Sequence, residues 1–180
     1  MGSEFFKNFN LVKKIFKEAD ERLNYPISEM ILEGPEDKLQ LTENTQPAIL
    51  IVSYSIFKIL KTEFNFDLKN FDYLAGHSLG EYSALVCAGS LNFGDALYLL
   101  NERGKAMQEA VPVGHGSMIA ILGLEIDHVN KIISNNRSNG VCEIANDNAN
   151  GQVIVSGEKN DIDALQIVLK ENNIKSIPLK

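Results

Sequence analysis

A chain of 180 residues with 44% apolar and 23% charged residues has the composition of a globular protein, large enough for one domain or a domain with a small partner. Its formal net charge of −7 argues against nucleic acid as a partner, since phosphate binding needs a basic face and the lysines are scattered. No apolar run approaches the roughly 18 residues of a membrane span and the N-terminus has no basic region before a hydrophobic core, so a cytoplasmic protein without membrane attachment is expected.

Over residues 4–23, Phe5, Phe9, Val12, Phe16, Ala19 and Leu23 recur at steps of three and four, which predicts one amphipathic helix with Ser3 as N-cap. Lys13, Lys14, Lys17 and Glu18 form its solvated face. Tyr25-Pro26 ends it, and residues 27–32 make one short helix before the Gly34-Pro35 break. Thr45 then precedes a helix over 46–61, with Pro47 in the first turn, where its missing N–H is tolerated. Ala48, Ile49, Leu50, Ile51, Val52, Ile56, Ile59 and Leu60 make this helix apolar almost all round, the pattern of a buried element. Gln46 stands at its mouth, an amide suited to local capping or to a ligand.

Residues 64–71 lead into Tyr73-Leu74-Ala75-Gly76-His77-Ser78-Leu79-Gly80-Glu81-Tyr82-Ser83. The apolar run at 73–75 predicts a short buried strand, Ser78 a sharp turn, and Tyr82, Leu85 and Val86 a helix beginning at Leu79. Gly76 and Gly80 give the G-x-S-x-G spacing, in which strand and helix approach closely and a serine sits on a strained corner with its hydroxyl exposed. The Leu79 N–H, at the helix N-terminus, is placed to receive a developing oxyanion. This is the chemistry of a serine nucleophile.

Gly89-Ser90 breaks that helix, and Asn92 caps a long one over 93–110 with Asp95 at the capping-box position. Leu97, Leu100, Gly104 and Met107 mark its inner face and Arg103 falls at the edge. Pro112 to Gly116 reads as a linker, dividing the chain into units 1–113 and 114–180. Beyond it the pattern gives a strand at 117–122, a helix at 125–135, strands at 141–145 and 152–156, a helix at 159–171 and a strand at 175–179. This βαββαβ order is the ferredoxin-like plan, with residues 146–150 as a polar connection longer than a minimal turn. Cys87 and Cys142 lack metal-ligand spacing and read as buried free thiols, so no metal site is predicted.

These residues resemble the malonyl-coenzyme A:acyl carrier protein transacylases and related acyltransferase domains. The resemblance runs through Thr45-Gln46-Pro47-Ala48, the elbow from Ala75 to Leu85, Arg103-Gly104-Lys105-Ala106-Met107-Gln108, Gly116-Ser117-Met118, and Gly151-Gln152-Val153-Ile154-Val155-Ser156-Gly157. It implies an α/β fold: a partial α/β-hydrolase-like large subdomain at 1–113 carrying an inserted ferredoxin-like small subdomain at 114–180. By resemblance, Ser78 takes malonyl from malonyl-CoA as an ester and passes it to the phosphopantetheine thiol of acyl carrier protein in fatty acid biosynthesis. Leu79 N–H is then one oxyanion donor, Arg103 pairs with the malonyl carboxylate, Gln46 lies near the acyl pocket, and Gly76, His77 and Gly80 support the motif. No cofactor beyond these thioester substrates is implied, and a monomer is expected.

A serine hydroxyl needs a base, and the sequence offers three histidines. His77 leaves the turn in another direction, His115 lies in the linker, and His128 sits on a polar helix surface. The resemblance places the catalytic histidine after the last strand of the small subdomain and an oxyanion turn ahead of Met1. The expectation is therefore a fragment lacking the family's N-terminal strand and C-terminal part, with little turnover of its own, exposed apolar surface on the large subdomain and a complete small one. The competing readings are a serine esterase or thioesterase and a non-catalytic fragment that binds acyl carrier protein.

Overall fold

The computed structural model describes residues 1–112, 114–136 and 140–179, and the chain divides into two compact units, Met1–Ala110 and Val111–Lys180. In the first unit the expected 4–23 helix is broken in two. Phe9 adopts extended dihedrals (φ −123, ψ 116) between α1 (Ser3–Asn8) and α2 (Asn10–Leu23). Ser3 lies inside α1 and makes no cap; Gly2, in the left-handed region at φ 70, precedes the helix. After the break the Phe6 ring meets that of Phe16 at 5.2 Å, a tilted aromatic contact between the two helices. Helix α2 buries Val12, Ile15, Phe16 and Ala19 and ends at left-handed Asn24. Then come α3 (Ile27–Glu33) and α4 (Glu36–Gln40).

The long helix α5 (Thr42–Glu63) starts one turn earlier than its apolar pattern suggests. Thr45 is therefore an interior residue whose hydroxyl donates to the Leu39 carbonyl at 2.5 Å, and Pro47 falls inside the helix. Proline cannot donate to the carbonyl four residues back, that of Glu43. The buried Asn101 amide donates to this carbonyl at 3.1 Å, so the group orphaned by Pro47 is satisfied from another helix. That helix is α7 (Phe93–Ala110), which runs against α5 at Gly104, where an added Cβ would lie 2.3 Å from the Glu43 Cα. Val12, Phe16, Leu50, Ile51, Leu97 and Leu100 form the centre of the core between α2, α5 and α7.

The other side of α5 is open, against the expectation of an all-round buried helix. Ile49, Ile56, Phe57 and Leu60 line a groove of about 410 Å³ together with Leu74, Ala75 and α6 (Gly80–Ala88). The expected strand at 73–75 does not form: Tyr73 is 90% exposed and Leu74 is exposed. A strand is held by its ladder, and all strands among the described residues belong to the second unit, so this segment has nothing to pair with. Two further expectations fail on α7. Asn92 caps it, accepting from Gly94 N–H at 2.8 Å, but Asp95 closes no capping box; its carboxylate meets Arg22 at 3.2 Å on the surface. Met107 is half exposed, and Phe93, Ala96 and Asn101 join Leu97, Leu100 and Gly104 on the buried face.

The second unit comprises β1 (Gly116–Leu122), α8 (Ile126–Asn135), β2 (Cys142–Ala149), β3 (Gln152–Glu158), α9 (Lys159–Glu171) and β4 (Lys175–Leu179). Its antiparallel sheet has the order β2-β3-β1-β4. Alternation turns Ile119, Ile121, Val153 and Val155 to one face, where they form a single core with Val129 of α8 and Ile162, Leu165 and Leu169 of α9. Pro178 is tolerated because β4 is an edge strand. The polar connection at 146–150 is shorter than expected. Strand β2 continues to Ala149, opposite Gln152, through two irregularities, leaving only Asn150 and Gly151 (φ +80) as the turn. Asn-Gly in a two-residue hairpin is strong enough to extend the ladder into a polar sequence. Of the expected linker at 112–116, Val113 lies outside the described residues.

Candidate active site

The site begins with a backbone fault. Ser78 sits at φ 53, in a left-handed region that costs a residue with a Cβ about 1 to 2 kcal/mol. Turn hydrogen bonds hold it there: Gly80 N–H donates to His77 O at 2.8 Å, Glu81 N–H to Ser78 O at 3.2 Å and Tyr82 N–H to Leu79 O at 3.0 Å. The two motif glycines are unequal. A Cβ at Gly76 would lie 1.9 Å from the Gly80 carbonyl, so any side chain there would push the start of α6 away, whereas a Cβ at Gly80 would meet nothing within 4 Å. Leu79 has helical dihedrals and α6 begins at Gly80, one residue after the expected start. Among the described residues its N–H has no carbonyl partner, the state of a donor available to an incoming oxygen.

Arg103 comes to this corner from α7. Its Nη2 donates to the Ser78 Oγ at 3.1 Å and its Nη1 to the Gln46 Oε1. Gln46 is not at a helix mouth; it lies in the second turn of α5, 3% exposed. Its Nε2 donates to Thr42 Oγ1 at 2.8 Å and approaches Met107 Sδ at 3.4 Å. The structure thus brings Ser78, Arg103 and Gln46, 57 positions apart in sequence at the widest, into one hydrogen-bonded chain. Thr42 was not singled out by the sequence, and Met107 was read only as an inner-face residue of its helix. The available signal was the i,i+4 spacing of Thr42 and Gln46, hidden once the helix was started at Gln46.

A guanidinium one hydrogen bond from a serine hydroxyl offers its remaining donors to an anionic group beside the oxygen. His77 is exposed next to Ser78, while His115 and His128 belong to the second unit, where both are exposed. Cys87 and Cys142 are free and half-buried, and burial pushes both thiols up, away from nucleophilic thiolate. Among the described residues no cluster of three His, Cys, Asp or Glu side chains suits a metal ion.

Residues 1–176 match the acyl transferase domain family. The chain is 40% identical to the malonyl CoA-acyl carrier protein transacylase of Bacillus subtilis, a similarity that covers 100% of this chain and 56% of that protein. It is 39% identical to the same-named protein of Haemophilus influenzae, covering 99% and 57%. Among solved structures, the acyl-carrier-protein-S-malonyltransferase of Bartonella henselae matches with a TM-score of 0.91 at 38% identity, over 99% of this chain and 57% of that one. A type II PKS acyl-carrier protein in complex with its malonyl-transacylase matches at 0.90 and 37% identity, again over 99% and 57%. The chain spans little more than half the length of these relatives. Matched from residue 1 to residue 176, it belongs to the acyl transferase domain family.

Proposed function

We propose that this chain carries the nucleophile of a malonyl-CoA:acyl carrier protein transacylase. The observation that carries the reading is the Arg103 guanidinium, braced on Gln46 and donating to Ser78 Oγ at 3.1 Å. A planar cationic fork at that distance favours an acyl group that ends in a carboxylate two carbons from the ester carbonyl. Ser78 Oγ attacks the thioester carbon of malonyl-CoA, the Leu79 N–H receives the tetrahedral oxyanion, and the carbon–sulfur bond breaks with the serine's proton leaving on coenzyme A as its thiol. The phosphopantetheine thiol of acyl carrier protein then takes the acyl group by the reverse sequence. Gly76, His77 and Gly80 shape the turn. The thioester is already activated, so this chemistry calls for no further cofactor, and none of the three histidines is assigned as the base.

On the fold side, residues 1–113 are read as a partial α/β-hydrolase-like subdomain and 114–180 as a ferredoxin-like one; the βαββαβ succession and the β2-β3-β1-β4 order support the latter. No helix among the described residues is long and apolar enough to cross a membrane. The chain is read as a cytoplasmic monomer whose protein partner is acyl carrier protein.

The test is acyl loading of Ser78, followed by intact mass on long incubation with malonyl-CoA or acetyl-CoA. Arg103→Ala should slow malonyl loading by about 10- to 100-fold and change acetyl loading by less than about threefold. Equal losses for both acyl groups, or for neither, overturn the reading; a serine esterase acting on neutral acyl groups would give the latter.

A further inference from the structure

We infer that Thr42 is a positioning residue for Arg103, acting through the Gln46 amide, and so tunes selection of a carboxylated acyl group; the last step rests on the reading of Arg103 given above. Arginine only donates, so Gln46 must turn its oxygen, not its nitrogen, toward the guanidinium. Its Nε2 then needs acceptors on the opposite side, and it finds two: the Thr42 hydroxyl at 2.8 Å and the Met107 sulfur at 3.4 Å. Rotating the amide by half a turn would face its nitrogen donors against Arg103, so Arg103 sets the orientation of the amide and the Thr42 hydroxyl accepts from the nitrogen that this leaves.

Of the two acceptors the hydroxyl is the strong one, because a thioether sulfur accepts only weakly. Thr42 lies four residues before Gln46 on α5, hence on the same helix face, and Met107 lies four residues after Arg103 on α7. Helix α7 therefore supplies a group on each side of the buried amide, and α5 supplies the amide itself and the Thr42 hydroxyl. Both polar atoms of Gln46 are occupied by protein groups, so its role is to hold Arg103 and not to touch the acyl group. With Nη1 held, Nη2 is aimed at Ser78, and three of the five guanidinium N–H donors remain for a carboxylate.

The first test needs no ligand. The sequence contains three arginines, Arg22, Arg103 and Arg137, so guanidinium signals of arginine-labelled protein are few and Arg103→Lys assigns the one of interest. In the parent chain the Arg103 guanidinium should show restricted rotation, in Thr42→Val it should collapse to averaged signals, and in Thr42→Ser, which keeps the hydroxyl, it should return to the parental pattern. Thr42→Ala replaces valine if the melting curve shows that valine disturbs the fold. An Arg103 that stays restricted when the hydroxyl is gone overturns the proposal, as does one already averaged in the parent.

The second test is calorimetric binding of malonyl-CoA and acetyl-CoA. The parental preference for malonyl-CoA, expected at about tenfold or more, should fall by about three- to tenfold in Thr42→Val and be kept in Thr42→Ser. A preference that survives Arg103→Ala sinks the role of Arg103 in recognition and leaves the rotation measurement to decide on Thr42. A preference that disappears in Arg103→Ala but is untouched in Thr42→Val overturns the selection role of Thr42 alone.

Discussion

The two units hold their functional geometry by different means. In the second, every strand has a hydrogen-bonded neighbour and the apolar face of the sheet is closed by α8 and α9, so position is fixed by many redundant contacts. In the first, the serine segment has no ladder, and its corner is held by a glycine contact, three turn hydrogen bonds and one arginine. Redundant contacts give stability; a few specific ones give an exposed hydroxyl in a strained conformation. The candidate chemistry therefore sits where the fold is least insured, and substitutions should act on different observables in the two units.

The largest effect concerns the division itself. If none of the three histidines is the base, malonyl transfer to acyl carrier protein by this 180-residue chain should run about 10⁴- to 10⁶-fold below that of a full-length relative. A radiolabelled malonyl-CoA assay measures it. Turnover matching the relative and lost on His115→Gln or His128→Gln would place the base in the second unit and break the contrast. Next in size, Ile121→Ala removes a fully buried side chain from the sheet core and should cost about 2 to 5 kcal/mol by urea unfolding. Acyl-Ser78 formed per folded molecule should stay at the parental level; a parallel loss would show that the second unit shapes the serine corner. The smallest effect has the opposite sign. Ser78→Gly relieves the left-handed strain and should raise stability by about 1 kcal/mol while abolishing acyl loading. An unchanged or lower stability would mean that the corner is not strained.

What was legible in the sequence follows the same contrast. The bounds of α7, α9 and β4 were readable to the residue, because periodicity, caps and breakers agree there. The strand expected at 73–75 was not, since an apolar run specifies a strand only if a neighbour exists to pair with it. The start of α5 was misplaced because Thr42, Glu43 and Asn44 are polar and Pro47 reads as a first-turn residue; the Asn101 amide that makes an interior proline acceptable is 54 positions beyond it. At 146–150 the reverse happened, and one good Asn-Gly turn carried a polar sequence into the ladder. At the site, Ser78 was readable from local spacing alone. Gln46 and Arg103 stood out only by family resemblance, because nothing in either residue's neighbourhood says that the two meet, and Thr42 was hidden with the helix start.

Gly104 gives the contact between α5 and α7 a further meaning. Because a single Cβ there would overlap the backbone of Glu43, the residue works as a distance gauge, setting how close the two helices lie at the level where Arg103 leaves one and Gln46 the other. On the proposed role of Arg103, recognition of the acyl group would depend on main-chain separation as well as on side-chain charge. A methyl group at position 104 would detune the guanidinium without removing any atom that touches it.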